Sequence, residues 1–94
     1  MLTVDKICRA ALATYGEQAQ IDMCIEECGE LIVALQHYKR GRAAADHHDI
    51  ITEIADVQIM CEQMQELFGD SATNAERHRK WNRLVEKLGL NRED

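Results

Sequence analysis

Two groups of carboxylates carry the chemistry open to this chain: Glu26, Glu27 and Glu30 in the run EECGE, and Glu53 with Asp56 in the run EIAD. Both fall in long stretches of helical periodicity, where residues three and four apart share a face, so each group presents its acids together. Like charges at that spacing repel, costing a helix on the order of a few tenths of a kcal/mol per pair. A cation held between the two groups would offset that cost. Ligands that are all oxygen suit Mg²⁺ or Mn²⁺ better than Zn²⁺ or copper.

Four helices must position these groups, and their phases can be read from the apolar residues. The first is expected from about Thr3 to Ala13, with Val4, Ile7, Cys8, Ala11 and Leu12 on one stripe, and Tyr15-Gly16 ends it. The second is expected from about Glu17 to Tyr38, before the breaker Gly41. At roughly 100° per residue, Ile21, Cys24, Ile25, Cys28, Leu31, Ile32 and Leu35 form its apolar arc, which puts Glu26, Glu27 and Glu30 on the other, mixed side.

The third helix, from about His48 to Phe68, holds the anomaly. Its arc is Ile50, Ile54, Val57, Met60, Cys61, Met64, Leu67 and Phe68; Glu53 falls inside that arc and Asp56 at its edge, whereas Glu62 and Glu66 lie opposite. A carboxylate carried into a packed face is costly unless it is paired or coordinated. Glu53 therefore calls for a partner. Gly69-Asp70-Ser71 breaks the chain, and Thr73-x-x-Glu76 reads as a capping box opening a fourth helix to about Leu88. Its packing stripe is Trp81, Leu84, Val85 and Leu88, extended by Arg77 toward the helix start.

Composition agrees with an all-α chain: the apolar residues are mainly Ala, Ile, Leu and Val, and proline is absent. Ninety-four residues make one domain, 1–94. So short a chain buries only about 60 to 65% of its unfolded surface, and oligomerisation is a natural remedy. A net charge of −6 argues against a nucleic-acid binder. Basic residues nevertheless cluster at Lys39, Arg40 and Arg42, and at Arg77, Arg79, Lys80, Arg83 and Lys87, which suits a small phosphorylated ligand.

The cysteines, Cys8, Cys24, Cys28 and Cys61, lack CxxC spacing and sit among apolar residues. They read as reduced core thiols. With no signal-peptide pattern and no apolar run near the roughly 20 residues that span a membrane, a cytoplasmic protein is expected. His47-His48 read as solvated or capping residues, because neighbours on a helix point about 100° apart. His37 and His78 have no stronger claim to a site.

The order EExxE, turn, ExxD resembles the signature of the all-α nucleoside triphosphate pyrophosphohydrolases, the superfamily of MazG and the dimeric dUTPases. The resemblance covers about residues 15 to 88 and includes IEECGELIVAL, the Lys-Arg-Gly turn, ITEIADVQIMCEQM and a closing basic helix with KxxRL, Lys80 to Leu84. It implies a four- to five-helix MazG-like bundle completed by oligomerisation to a homodimer or homotetramer. The implied activity is Mg²⁺-dependent hydrolysis of a (deoxy)nucleoside triphosphate between its α- and β-phosphates, giving monophosphate and pyrophosphate in nucleotide-pool house-cleaning.

Carried over by position, the family's metal ligands fall on Glu27, Glu30, Glu53 and Asp56. Glu26 becomes an additional ligand or the activator of the attacking water. Lys80 and Arg83 match the phosphate contacts, with Arg77 beside them and Trp81 placed either in the core or against the base. Two rival readings come from other classes. One is a noncatalytic helical interaction module on the same scaffold; the other is a carboxylate-bridged diiron protein. The second needs Glu-x-x-His pairs, and no Glu here has a His three residues later.

Overall fold

The computed structural model describes residues 1–41 and 47–90. Arg42, grouped above with Lys39 and Arg40, lies outside them. Four helices follow in order: α1 (Val4–Tyr15), α2 (Glu17–Lys39), α3 (His47–Phe68) and α4 (Asp70–Leu88). No strand occurs among the described residues, so the all-α expectation holds.

Local chemistry sets the helix ends. Thr3 caps α1, its side chain accepting from the Lys6 amide at 3.4 Å. Gly16 joins α1 to α2 at φ 92°, ψ 152°, a conformation essentially restricted to glycine. At Gly69, φ 143° turns the chain from α3 into α4. Gly89 closes α4 in the left-handed conformation, with the Leu90 amide donating to the Val85 carbonyl and the Gly89 amide to Glu86.

One expected boundary is corrected. Helix α4 starts at Asp70 rather than near Thr73. Thr73 is not a cap but sits one turn inside, where its hydroxyl donates to the Gly69 carbonyl at 2.7 Å. Glu76 pairs with Arg79 at 2.8 Å instead of reaching back to close a capping box.

Helix α2 runs along α3, and α1 packs against both, while α4, among the described residues, meets α3 alone of the helices. The deepest apolar side chains are Cys8 and Met60. Two glutamines are buried beside them, and Gln20 Nε2 of α2 donates to Gln63 Oε1 of α3 at 2.6 Å. Arg9 ties α1 to α3 through Glu66 at 2.8 Å. The radius of gyration is 16.5 Å, against about 12 Å for a compact chain of this length. Helix α4 therefore extends away from a three-helix body.

Side-chain exposure revises three of the expected arcs. On α2 the packed stripe is Gln20, Ile21, Cys24, Glu27, Cys28, Leu31 and Ala34, whereas Ile25, Ile32 and Leu35 face outward. Glu27 thus belongs to the packed side. Polar Gln20 can occupy it because it bonds Gln63 of α3, a partner that hydropathy along one helix does not register. On α3, Ile54, Cys61 and Phe68 are exposed, so Cys61 is not a core thiol. On α4 the stripe has little beneath it: Trp81, Leu84 and Leu88 are exposed and only Val85 is half-buried.

Candidate metal centre

The expected carboxylate groups converge where α2 lies against α3. Glu27, Glu30 and Glu53 each offer one carboxylate oxygen, and the three atoms lie within 4.8 Å of one another. Glu27 and Glu30 are three apart, so α2 presents them on adjacent turns, and α3 delivers Glu53 opposite them. Burial places the cluster between solvent and core: Glu27, Glu53 and Asp56 are half-buried and Glu30 is exposed.

Electrostatics mark this as an unneutralised site. Burial pushes the Glu27 carboxyl above the ordinary range, and the charges of Glu30, Asp56 and Glu53 push it further. Glu53 is raised in the same way, first by burial and then by Glu30 and Asp56, with Asp49 adding a smaller push. Glu27 Oε2 and Glu53 Oε2 are buried and have no hydrogen-bond partner. Buried acceptors in native proteins are normally satisfied. Acceptor-only groups crowded together, with lone pairs unused, fit a hard divalent cation.

Beside the cluster opens a groove of about 760 Å³, its walls formed by Glu26, Glu30, Val33 and His37 of α2 and by His48, Asp49, Thr52 and Glu53 of α3. Glu26 is exposed on that wall and stands outside the three-oxygen cluster. His37, His48 and Asp49 were not assigned to the site from sequence. Helical phase could have found them: His37 lies seven residues beyond Glu30, Asp49 one turn before Glu53, and His48 one turn before Thr52. The two adjacent histidines do diverge, as their spacing requires. His48 turns to the groove, and the His47 ring lies 5.4 Å from the Tyr38 ring.

The basic residues assigned to substrate are placed elsewhere in the chain. Arg77 lines a second groove of about 730 Å³ with Val57, Met64 and Phe68, while Lys80, Trp81 and Arg83 are exposed farther along α4. None of the four lines the acidic groove. Cys24, Cys28 and Cys61 form a separate cluster of free thiols, with Cys24 against both of the others, while Cys8 is a free thiol apart from them; burial and the two neighbouring thiols push Cys24 up to about 11, which keeps it protonated. No helix among the described residues is long and apolar enough to cross a membrane. No family model, curated protein or solved structure matches the chain.

Proposed function

We propose that the acidic groove is the active site of a Mg²⁺-dependent nucleoside triphosphate pyrophosphohydrolase. The observation that carries this reading is the convergence of Glu27, Glu30 and Glu53 from two helices, with buried lone pairs unused. Glu27, Glu30 and Glu53 would hold the metal, with Asp56 as a fourth acid, since its charge already acts on Glu27 and Glu53. When bound, Mg²⁺ neutralises phosphate charge and polarises the phosphoryl oxygens. The groove volume lies within the range of small-molecule sites.

Glu26 suits the water-activating role, because it reaches the groove from outside the metal cluster. It takes a proton as the water oxygen bonds to the α-phosphorus; the bond from that phosphorus to the bridging oxygen breaks, and pyrophosphate leaves with the electron pair. Arg77, Lys80 and Arg83 are assigned to the remaining phosphates and Trp81 to the base by resemblance. Their exposure on α4 leaves them available for this role.

Incubating the protein with Mg²⁺ and a panel of canonical and modified triphosphates tests the reading directly. Monophosphate and pyrophosphate are the expected products. Orthophosphate and diphosphate would overturn the bond assignment. A second reading, the noncatalytic helical interaction module, is favoured by one observation, the exposed apolar face of α4. Absence of product from every triphosphate would select it.

A further inference from the structure

We propose that Cys24 of α2 and Cys61 of α3 form an oxidation site, two thiols that hydrogen peroxide converts to a reversible disulfide bracing α2 against α3. The proposal stands apart from the nucleotide chemistry assigned to the acidic groove. Three observations carry it.

The first is register. Gln20 of α2 bonds Gln63 of α3 at 2.6 Å, and farther along α2 the Glu27 and Glu30 carboxylates meet Glu53, which comes earlier on α3. The two helices therefore run antiparallel between these fixed points. Cys24 lies between the points on α2, one turn past Gln20 and on the same packed stripe, and Cys61 lies between them on α3, two residues before Gln63. That register sets the two thiols side by side, and their side chains are within hydrogen-bonding reach of each other. A disulfide draws its sulfurs to about 2.05 Å. From such contact, rotation of the side chains supplies the closure.

Access is the second observation. Cys24 is half-buried, whereas Cys61 is exposed and lines the open groove that α3 shares with α4. The two positions divide the chemistry. Cys61 Sγ attacks one peroxide oxygen, the O–O bond breaks, and the departing hydroxide takes the thiol proton to leave as water, so Cys61 becomes a sulfenic acid. Cys24 Sγ then attacks the Cys61 sulfur, the S–O bond breaks, and the hydroxyl leaves as a second water with the Cys24 proton. The two thiols together lose two electrons, and the peroxide gains them.

The third is what the link encloses. Cys28 also neighbours Cys24, but the two are four apart on one helix, so a bond between them spans a single turn and ties no helix to another. A Cys24–Cys61 bond instead closes a loop that contains Glu27, Glu30 and Glu53. It joins the two helix segments whose carboxylates repel. Oxidation thus braces the acidic cluster when no cation does.

Titrating the full chain with hydrogen peroxide in the presence of a chelator, then mapping its peptides without reductant, tests the proposal. An intrachain Cys24–Cys61 peptide is expected, lost again on treatment with dithiothreitol. The linked chain should melt about 10 °C or more above the reduced one. Cys28→Ser should keep both the link and the gain. Cys61→Ser, at an exposed position, should abolish both while keeping the far-ultraviolet helical signal. Thiols untouched by excess peroxide would overturn the proposal, as would a Cys24–Cys28 bond, a bond between chains or oxidation that stops at a sulfinic acid on Cys61. So would a Cys24–Cys61 bond that left the melting temperature where it was.

Discussion

Glu27 of α2 and Glu53 of α3 each bury a carboxylate oxygen without a hydrogen-bond partner, and together with Glu30 they bring three acceptor atoms within 4.8 Å. Two helices that pack this way carry a built-in repulsion between them. A positive ligand would relieve that repulsion, so binding it would stabilise the fold at the same residues.

Glu53→Gln separates the two roles. The substitution removes a charge and supplies amide donors, so in the presence of a chelator the variant should melt at a higher temperature than the wild type. Mg²⁺ should then raise the wild-type melting temperature and leave the variant nearly unchanged. Pyrophosphate release should fall by at least about a hundredfold, more than the loss typical of outer-shell changes at metal sites. An unaltered rate would remove Glu53 from the site.

Glu26→Gln probes the neighbouring wall. Because Glu26 lies outside the three-oxygen cluster, its loss should lower kcat by about 10² to 10⁴, the range for a general base. The Mg²⁺ concentration giving half-maximal rate should change little. A large shift in that concentration would make Glu26 a ligand instead.

The pH dependence of the metal-free chain should run opposite to that of ordinary surface carboxylates. Glu27 and Glu53 are raised above 4.5, so the folded chain holds protons that the unfolded chain releases. Their contribution to stability is present below that unfolded value and is lost as pH rises through the folded values. In chelator, the stability gain of Glu53→Gln over wild type should therefore be small at acid pH and grow as pH rises. A gain that shrank with rising pH would contradict the assignment.

The Gln20–Gln63 hydrogen bond offers a test of packing away from the site. Both residues are buried, and the bond is 2.6 Å. Gln20→Leu alone strands the Gln63 Oε1 acceptor and should cost about 1 to 3 kcal/mol in denaturant unfolding. Replacing both by Leu should recover most of that loss. A double variant as unstable as the sum of the singles would show that the two side chains act independently.

Gly16→Ala isolates a backbone effect. An added Cβ meets nothing within 4 Å, so any loss comes from φ 92° alone. About 1 to 3 kcal/mol of destabilisation is expected, read as a lower denaturation midpoint with unchanged slope.

Helix count and placement were legible in the sequence because 3.6-residue periodicity and glycine breaks act locally. The same locality exposed Glu53, since an acid inside an apolar arc contradicts its own helix. Phase failed wherever a side chain's environment came from another helix. Ile25 and Ile32 were expected inside and face out, while Glu27 was expected outside and packs in.

The sequence by itself determined the helical class, the approximate spans and which carboxylates share a turn, all consequences of short-range geometry. Only the tertiary structure decided that Glu27 and Glu30 meet Glu53 across α2 and α3, that His37, His48 and Asp49 border the same groove, and that α4 leaves its apolar face uncovered. Those relationships depend on how helices rotate and cross. Rotation is fixed by contacts between distant residues, such as Gln20 with Gln63, which no single-helix pattern contains.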